Sequence, residues 1–117
     1  MQSAILDVFT ECTYNLAMNV THTTPFGDFE WDSNKDAANR KKHGISFELA
    51  LEAFADPQGV YLADTPHSDG EERMHYIGQI GGDILVLIVF VERTAIRIIS
   101  ARKASQKEKK TYVDANG

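Results

Sequence analysis

Ala95-Ile96-Arg97-Ile98-Ile99-Ser100-Ala101-Arg102-Lys103-Ala104-Ser105 is the stretch from which this chain is best read. Its first half alternates and is rich in β-branched residues, the pattern of a strand on a half-buried pleated surface. Its second half turns basic and runs into Ser105-Gln106-Lys107-Glu108. That is a capping-box sequence, in which serine and glutamate satisfy each other's orphan backbone amides at a helix start. A strand therefore delivers Arg97 to one face and hands over to a helix start crowded by Arg102, Lys103 and Lys107. A helix N-terminus already favours anions, and these cations add to that preference. A solvated basic helix end would account for this stretch taken alone.

Working outward, Arg93-Thr94 turns the chain back into Ile84–Glu92, apolar almost without a break and read as a central strand buried on both faces. Gly81-Gly82-Asp83 is a hairpin turn, preceded by a strand from Arg73 to Ile80 and another from Val60 to Asp64, with a polar loop between them. Strands joined by short turns are antiparallel. Upstream, Phe29-Glu30-Trp31-Asp32 is a short strand-like start anchored by Trp31. Asp32 or Ser33 caps a helix from about Asn34 to His43, and Gly44 stops it. Ser46 caps a second helix with Phe47, Ala50, Leu51 and Phe54 on one face, ended by Asp56-Pro57. Residues 1–28 read as an N-terminal extension or linker, loosely helical from Ser3 to Val20 and linker-like over Thr21–Gly27; residues 29–117 form the domain proper. The expected fold is α+β: an N-terminal helical hairpin packed on a small antiparallel sheet, with a C-terminal helix to about Asp114.

With 117 residues the chain has room for one domain and one core. Its longest apolar run, Ile84 to Val91, is strand-sized, so no membrane span is expected. The first residues hold Asp7 and Glu11 and no Lys or Arg, a poor secretory signal, and the expected compartment is the cytoplasm. A single cysteine, Cys12, excludes an internal disulfide and a cysteine-rich metal site. The net charge of −5 is unevenly spread: seven acids and no Lys or Arg lie between Glu48 and Glu72. Seven bases and one acid lie between Arg93 and Tyr112, and a second basic knot is Arg40-Lys41-Lys42-His43. Two basic clusters on an acidic chain point to a local anion site.

The sequence has no GxGxxG, no phosphate-loop lysine motif, no GxSxG and no paired-cysteine zinc pattern. His22, His43, His67 and His75 show no ligand spacing, so neither metal nor cofactor is expected. What remains suits phosphodiester cleavage without metal, which needs cations around the phosphate, a base for an attacking 2′-hydroxyl and an acid for the leaving oxygen. Arg97 and Arg102 can offer two-pronged donors; Lys42 and Lys103 offer point charges. His43 and His67 exchange protons near neutrality, with Glu72 and Tyr112 as weaker candidates for base and acid. Each has a plainer account. His43 is a cation at a helix C-terminus, Glu72 and Arg73 could be a surface ion pair, and Tyr112 could simply pack on the sheet.

Phe29-Glu30-Trp31-Asp32, Lys35 with Asn39, Lys42-His43-Gly44-Ile45-Ser46-Phe47, Asp56-Pro57, His67-Ser68-Asp69-Gly70-Glu71-Glu72-Arg73, and Arg97-Ile98-Ile99-Ser100-Ala101-Arg102-Lys103-Ala104 with Glu108 and Tyr112 together resemble the BrnT family. These are the toxin components of BrnT/BrnA type II toxin–antitoxin pairs. The resemblance covers Phe29 to about Asp114. It implies a RelE-like fold, metal-independent endoribonuclease activity that blocks translation, and neutralisation by a cognate BrnA-like ribbon-helix-helix antitoxin, with DNA met only through the antitoxin complex. Arg97, Arg102, Lys42, His43, Glu72 and Tyr112 are the expected catalytic set; Lys35, Lys103, Lys107, His67 and Arg73 are expected RNA contacts. The rival reading is a non-catalytic module that docks an antitoxin or nucleic acid through its basic face. An acidic overall balance and the lack of a stacking platform argue against a general RNA-binding domain.

Overall fold

The structure is a computed structural model and describes residues 18–63 and 72–117. In chain order the elements are β1 (Asn19–Thr24), β2 (Gly27–Asp32), α1 (Ser33–His43), α2 (Phe47–Ala50) continuing as a 3-10 turn (Leu51–Ala55), β3 (Val60–Ala63), β4 (Met74–Ile80), β5 (Ile84–Glu92), β6 (Ile96–Lys103) and α3 (Gln106–Asn116). The six strands form one sheet in the order β1-β2-β6-β5-β4-β3. Among the described residues no helix is long and apolar enough to cross a membrane.

The α+β class holds, but the expected N-terminal helical hairpin on an antiparallel sheet does not. The described chain opens with a β-hairpin, and β2 runs parallel to β6 through Phe29↔Ile96 and Glu30↔Arg97, so the sheet is mixed. The stretch expected as a linker supplies an edge strand instead. Val20-Thr21-His22-Thr23-Thr24 alternates, and threonine favours the pleated surface. Val20 lies opposite Trp31, and the His22 ring stacks on Trp31 with centroids 6.0 Å apart. Pro25-Phe26 makes the turn, and Gly27 takes a φ of 137° that a side chain would resist.

The helices start and stop where their capping residues dictate. Asp32 Oδ1 accepts from the Asn34 and Lys35 amides at 2.7 and 3.3 Å, and Gly44 ends α1 in the left-handed region. Asp36 Oδ1 then accepts from the Phe47 amide at 2.8 Å, so α1 caps the start of α2 together with Ser46. The 3-10 turn presses on β4: the Tyr76 hydroxyl donates to the Ala53 carbonyl at 2.6 Å. A Cβ added to Gly78 would stand 2.6 Å from that same carbonyl oxygen, which explains a glycine inside a buried strand.

The sheet buries both faces. On one, Phe29, Trp31, Ile88, Phe90, Ile98 and Ala101 pack under Ile45, Phe47 and Ala50. On the other, Ile77 and Leu87 pack against Tyr112 of α3, with Val60, Leu62, Leu85 and Val89 half-buried around them. These are called here the α2 face and the α3 face.

β6 carries one irregularity. Phe90 pairs with Ile98 and Val89 with Ser100, leaving Ile99 as an extra residue. Such a bulge shifts the inward–outward alternation by one position. Ile98 and Ala101, three apart, therefore both enter the core of the α2 face.

Candidate functional site

The same shift acts on the other side of β6. Arg97 lies opposite Val91 and Arg102 opposite Leu87. Val91 and Leu87 are four residues apart on a regular strand, so they share a face, and Leu87 identifies it as the α3 face. Both arginines thus stand on the α3 face, separated along the strand by roughly 15 Å at about 3.3 Å per residue.

Each guanidinium is held by a carboxylate from another element. Arg97 Nη1 donates to Glu30 Oε2 of β2 at 3.0 Å and to Asn19 Oδ1 of β1 at 2.8 Å. Arg102 donates from Nη1 to Glu108 Oε1 at 2.8 Å and from Nη2 to Glu108 Oε2 at 2.9 Å, a parallel two-pronged pair. Glu108 Oε1 also accepts the Ser105 amide at 2.8 Å, so one carboxylate closes the capping box and clamps the arginine. The bond from Arg102 holds the Glu108 carboxyl below its usual range, and the bond to Glu108 raises Arg102 further. With side-chain exposures of 23% and 38%, Arg97 and Arg102 both remain open to solvent.

The other basic residues fall at the two ends of β6. Arg73 precedes Met74, the partner of Phe90, so the register sets it beside Val91, with Arg97 on the far side. Its buried Nε has no hydrogen-bond partner among the described residues. Glu72 is exposed next to it. At the opposite end, β2 no longer accompanies β6 and α1 takes its place. The Asn39 side chain accepts from the Ala101 amide at 3.2 Å and donates to the Ala101 carbonyl at 2.7 Å and the Ile45 carbonyl at 2.9 Å. A carboxamide has the donor and acceptor of a peptide group, and here it stands in for a neighbouring strand. Lys42 (exposed) and His43 (half-buried) follow one turn after the Asn39–Ala101 link, at the basic C-terminal end of α1. Lys103 and Lys107 are exposed at the Arg102 end of β6; Lys35 is exposed in the first turn of α1, one turn before Asn39. His67 lies outside the described residues.

Tyr112 is engaged elsewhere. Its hydroxyl donates to Asp56 Oδ2 at 2.7 Å, and burial followed by this bond pushes its pKa up to about 12. Asp56 also accepts the Gln58 and Gln79 amides, each at 2.9 Å. Burial alone would raise the Asp56 carboxyl, but these bonds together bring it below its ordinary value. Among the described residues no group of three or more His, Cys, Asp or Glu side chains is placed to hold a metal ion.

A family model described as the ribonuclease toxin BrnT of type II toxin–antitoxin systems matches residues 31–108. The chain belongs to the BrnT family. Among solved structures, the Brucella abortus ribonuclease toxin BrnT, a 1.1 Å crystal structure, is 29% identical over 65% of this chain and 94% of that one, with a TM-score of 0.43. Comparison with curated proteins gives no match. The span matched to the BrnT family opens on Trp31 and closes on Glu108, so it includes Asn39, Arg73, Arg97 and Arg102 and leaves out β1 and Tyr112.

Within this BrnT-family chain, sequence reasoning missed the residues that hold the arginines. Glu30 carried no signal of its own, because its partner stands 67 positions away. Asn19 lay in the presumed extension. Asn39 entered through the family pattern, without a role; asparagine is a poor helix former, and here it is the buried residue of a helix otherwise polar but for two alanines. Glu108 was read as a cap and as part of the family pattern, with no link to Arg102.

Proposed function

We propose that this BrnT-family chain is a metal-independent endoribonuclease that cuts RNA through attack of a 2′-hydroxyl on the adjacent phosphate, thereby blocking translation in the cytoplasm. A cognate BrnA-like ribbon-helix-helix antitoxin silences it by covering the basic face, and DNA is met only through that complex. The observation that carries this reading is the common face of Arg97 and Arg102. Two guanidiniums, with Arg73 across one intervening strand from the first, line a path for a phosphate backbone, and Lys107 adds charge at the Arg102 end, where Lys103 stands on the other face of the strand. As the 2′-oxygen bonds to phosphorus and the 5′-oxygen leaves, negative charge grows on the phosphoryl oxygens. Arginines fixed in place beforehand stabilise that charge without reorganisation. Lys42 and His43 at one end and Glu72 at the other are the candidates for the proton transfers, with His67, outside the described residues, as a further one.

The test is cleavage of RNA by the purified chain in excess EDTA, with the ends analysed. Products ending in 2′,3′-cyclic or 3′-phosphate are expected. Cleavage lost in EDTA and restored by magnesium would overturn the mechanism. A folded Arg97→Ala, Arg102→Ala double variant that still cuts RNA and arrests growth like the parent would remove the arginines from it.

A further inference from the structure

We infer that Glu108 is a positioning residue for the cleavage reaction, acting through Arg102; this rests on the proposed role of Arg102 at the phosphate. A capping box needs only one oxygen of its glutamate, and Glu108 Oε1 meets that need by accepting the Ser105 amide at 2.8 Å. Glu108 does more. Both of its oxygens meet Arg102, in a geometry that fixes the plane of the guanidinium as well as its position. Arg102 Nη1 also donates to the Lys103 carbonyl at 3.2 Å, so the fork is tied to the strand end and to the first turn of α3 together. Glu108 is the less exposed partner, 21% against 38%. The carboxylate is thus the anchored half of the pair and the arginine the half offered to solvent. An arginine held along one edge keeps its remaining N–H groups aimed outward, where a phosphoryl oxygen can accept them. An unheld one would lose that aim to rotamer freedom.

The substitution Glu108→Gln separates the two duties. A glutamine carbonyl oxygen can still accept the Ser105 amide and one Arg102 N–H, while its amide nitrogen would face the second N–H donor to donor. Ser105→Ala is the complementary variant: it removes the hydroxyl that accepts the Glu108 amide and leaves both bonds to Arg102. With a randomised, end-labelled oligoribonucleotide pool as substrate, Glu108→Gln should lower kcat by about 10- to 100-fold, the scale of a reacting group misplaced by about 1 Å. KM should change less than kcat, because the cationic surface is intact, and the melting temperature should fall only by the share of stability that the carboxylate supplies, no more than in Ser105→Ala. Ser105→Ala should lower the melting temperature and keep the parent's kcat.

If Glu108→Gln cuts at the parent rate while Arg102→Ala is inactive, Arg102 acts without Glu108 and the inference fails alone. If both α3 variants lose rate in proportion to their loss of melting temperature, Glu108 is a structural clamp only, and the inference fails again. If Arg102→Ala itself cuts like the parent, the role of Arg102 falls and the inference falls with it.

Discussion

The Asn39 side chain accepts the amide of Ala101 and donates to its carbonyl, doing on the open side of β6 what a neighbouring strand would do. One buried carboxamide thus joins the basic end of α1 to the basic end of β6.

Asn39→Ala should therefore be strongly destabilising. It orphans the amide and carbonyl of Ala101 and the Ile45 carbonyl, at about 1–3 kcal/mol for each group left buried without a partner. Urea unfolding should show a midpoint shift equivalent to at least about 2 kcal/mol. Asn39→Asp keeps the acceptor for the Ala101 amide but loses both donated bonds, and should be destabilised as well. A parent-like midpoint for Asn39→Ala would show that water replaces the side chain at this edge.

Arg97→Lys tests the shape of the cation and not its charge. Lysine cannot reproduce a planar fork that meets Glu30, Asn19 and a phosphate together. Cleavage should fall towards the level of Arg97→Ala, with a loss on the order of 10²–10³ if the fork contacts the developing charge. Near-parent rates with lysine would mean that position 97 contributes charge alone.

Tyr112→Phe should reduce stability by about 1 kcal/mol, the usual worth of one hydrogen bond, and leave the cleavage rate unchanged. The hydroxyl is already committed to Asp56, and its proton is held more tightly than in a free tyrosine. A selective loss of kcat in a stably folded Tyr112→Phe would return this residue to the chemistry.

The pH dependence of stability follows from the same groups. Asp56 and Glu108 have lowered pKa values in the fold, so the stability they supply is present above the ordinary carboxylate range. That stability is lost as pH falls below about 4 through their folded values. Tyr112 is raised to about 12, so its contribution is complete below the ordinary tyrosine value near 10 and disappears as pH climbs towards 12. Melting curves across pH should show both flanks. Glu108→Gln should flatten the acid flank and Tyr112→Phe the alkaline one.

Much of this fold was legible locally. Asp32, Gly44, Ser46 and the Ser105–Glu108 box marked the helix ends, and the glycines before Asp83 marked the turn between β4 and β5. What escaped was non-local or hidden in phase. Pro25 and Gly27 looked like a linker because they outweighed the alternation of Val20–Thr24. The parallel pairing of β2 with β6 is set by packing, and no nearby residue encodes it. Ile98-Ile99 concealed the bulge, since two adjacent isoleucines suit either phase. Arg97 and Arg102 could be nominated from residue type, but their common face could not.

The N-terminal boundary can now be tested with two truncations. Removing residues 1–17 leaves β1 whole, and folding and cleavage should persist. Removing residues 1–28 deletes β1 and takes Asn19 from Arg97. That shorter chain should lose at least about 2 kcal/mol, the scale of one apolar side chain's burial. Equal stability of the two would make the edge strand dispensable.

The extra residue in β6 also sets what kind of genetic change this strand tolerates. Many side chains could occupy position 99, since a bulged residue has no partner to match. Its absence should be absorbed as well. Deleting Ile99 would restore regular pleating while leaving Ile98 opposite Phe90, Ser100 opposite Val89, Ala101 in the core and Arg102 within reach of Glu108. At this one position the strand therefore has a residue to spare, and a single-codon deletion that would turn every following side chain over in a regular stretch is here a mild lesion.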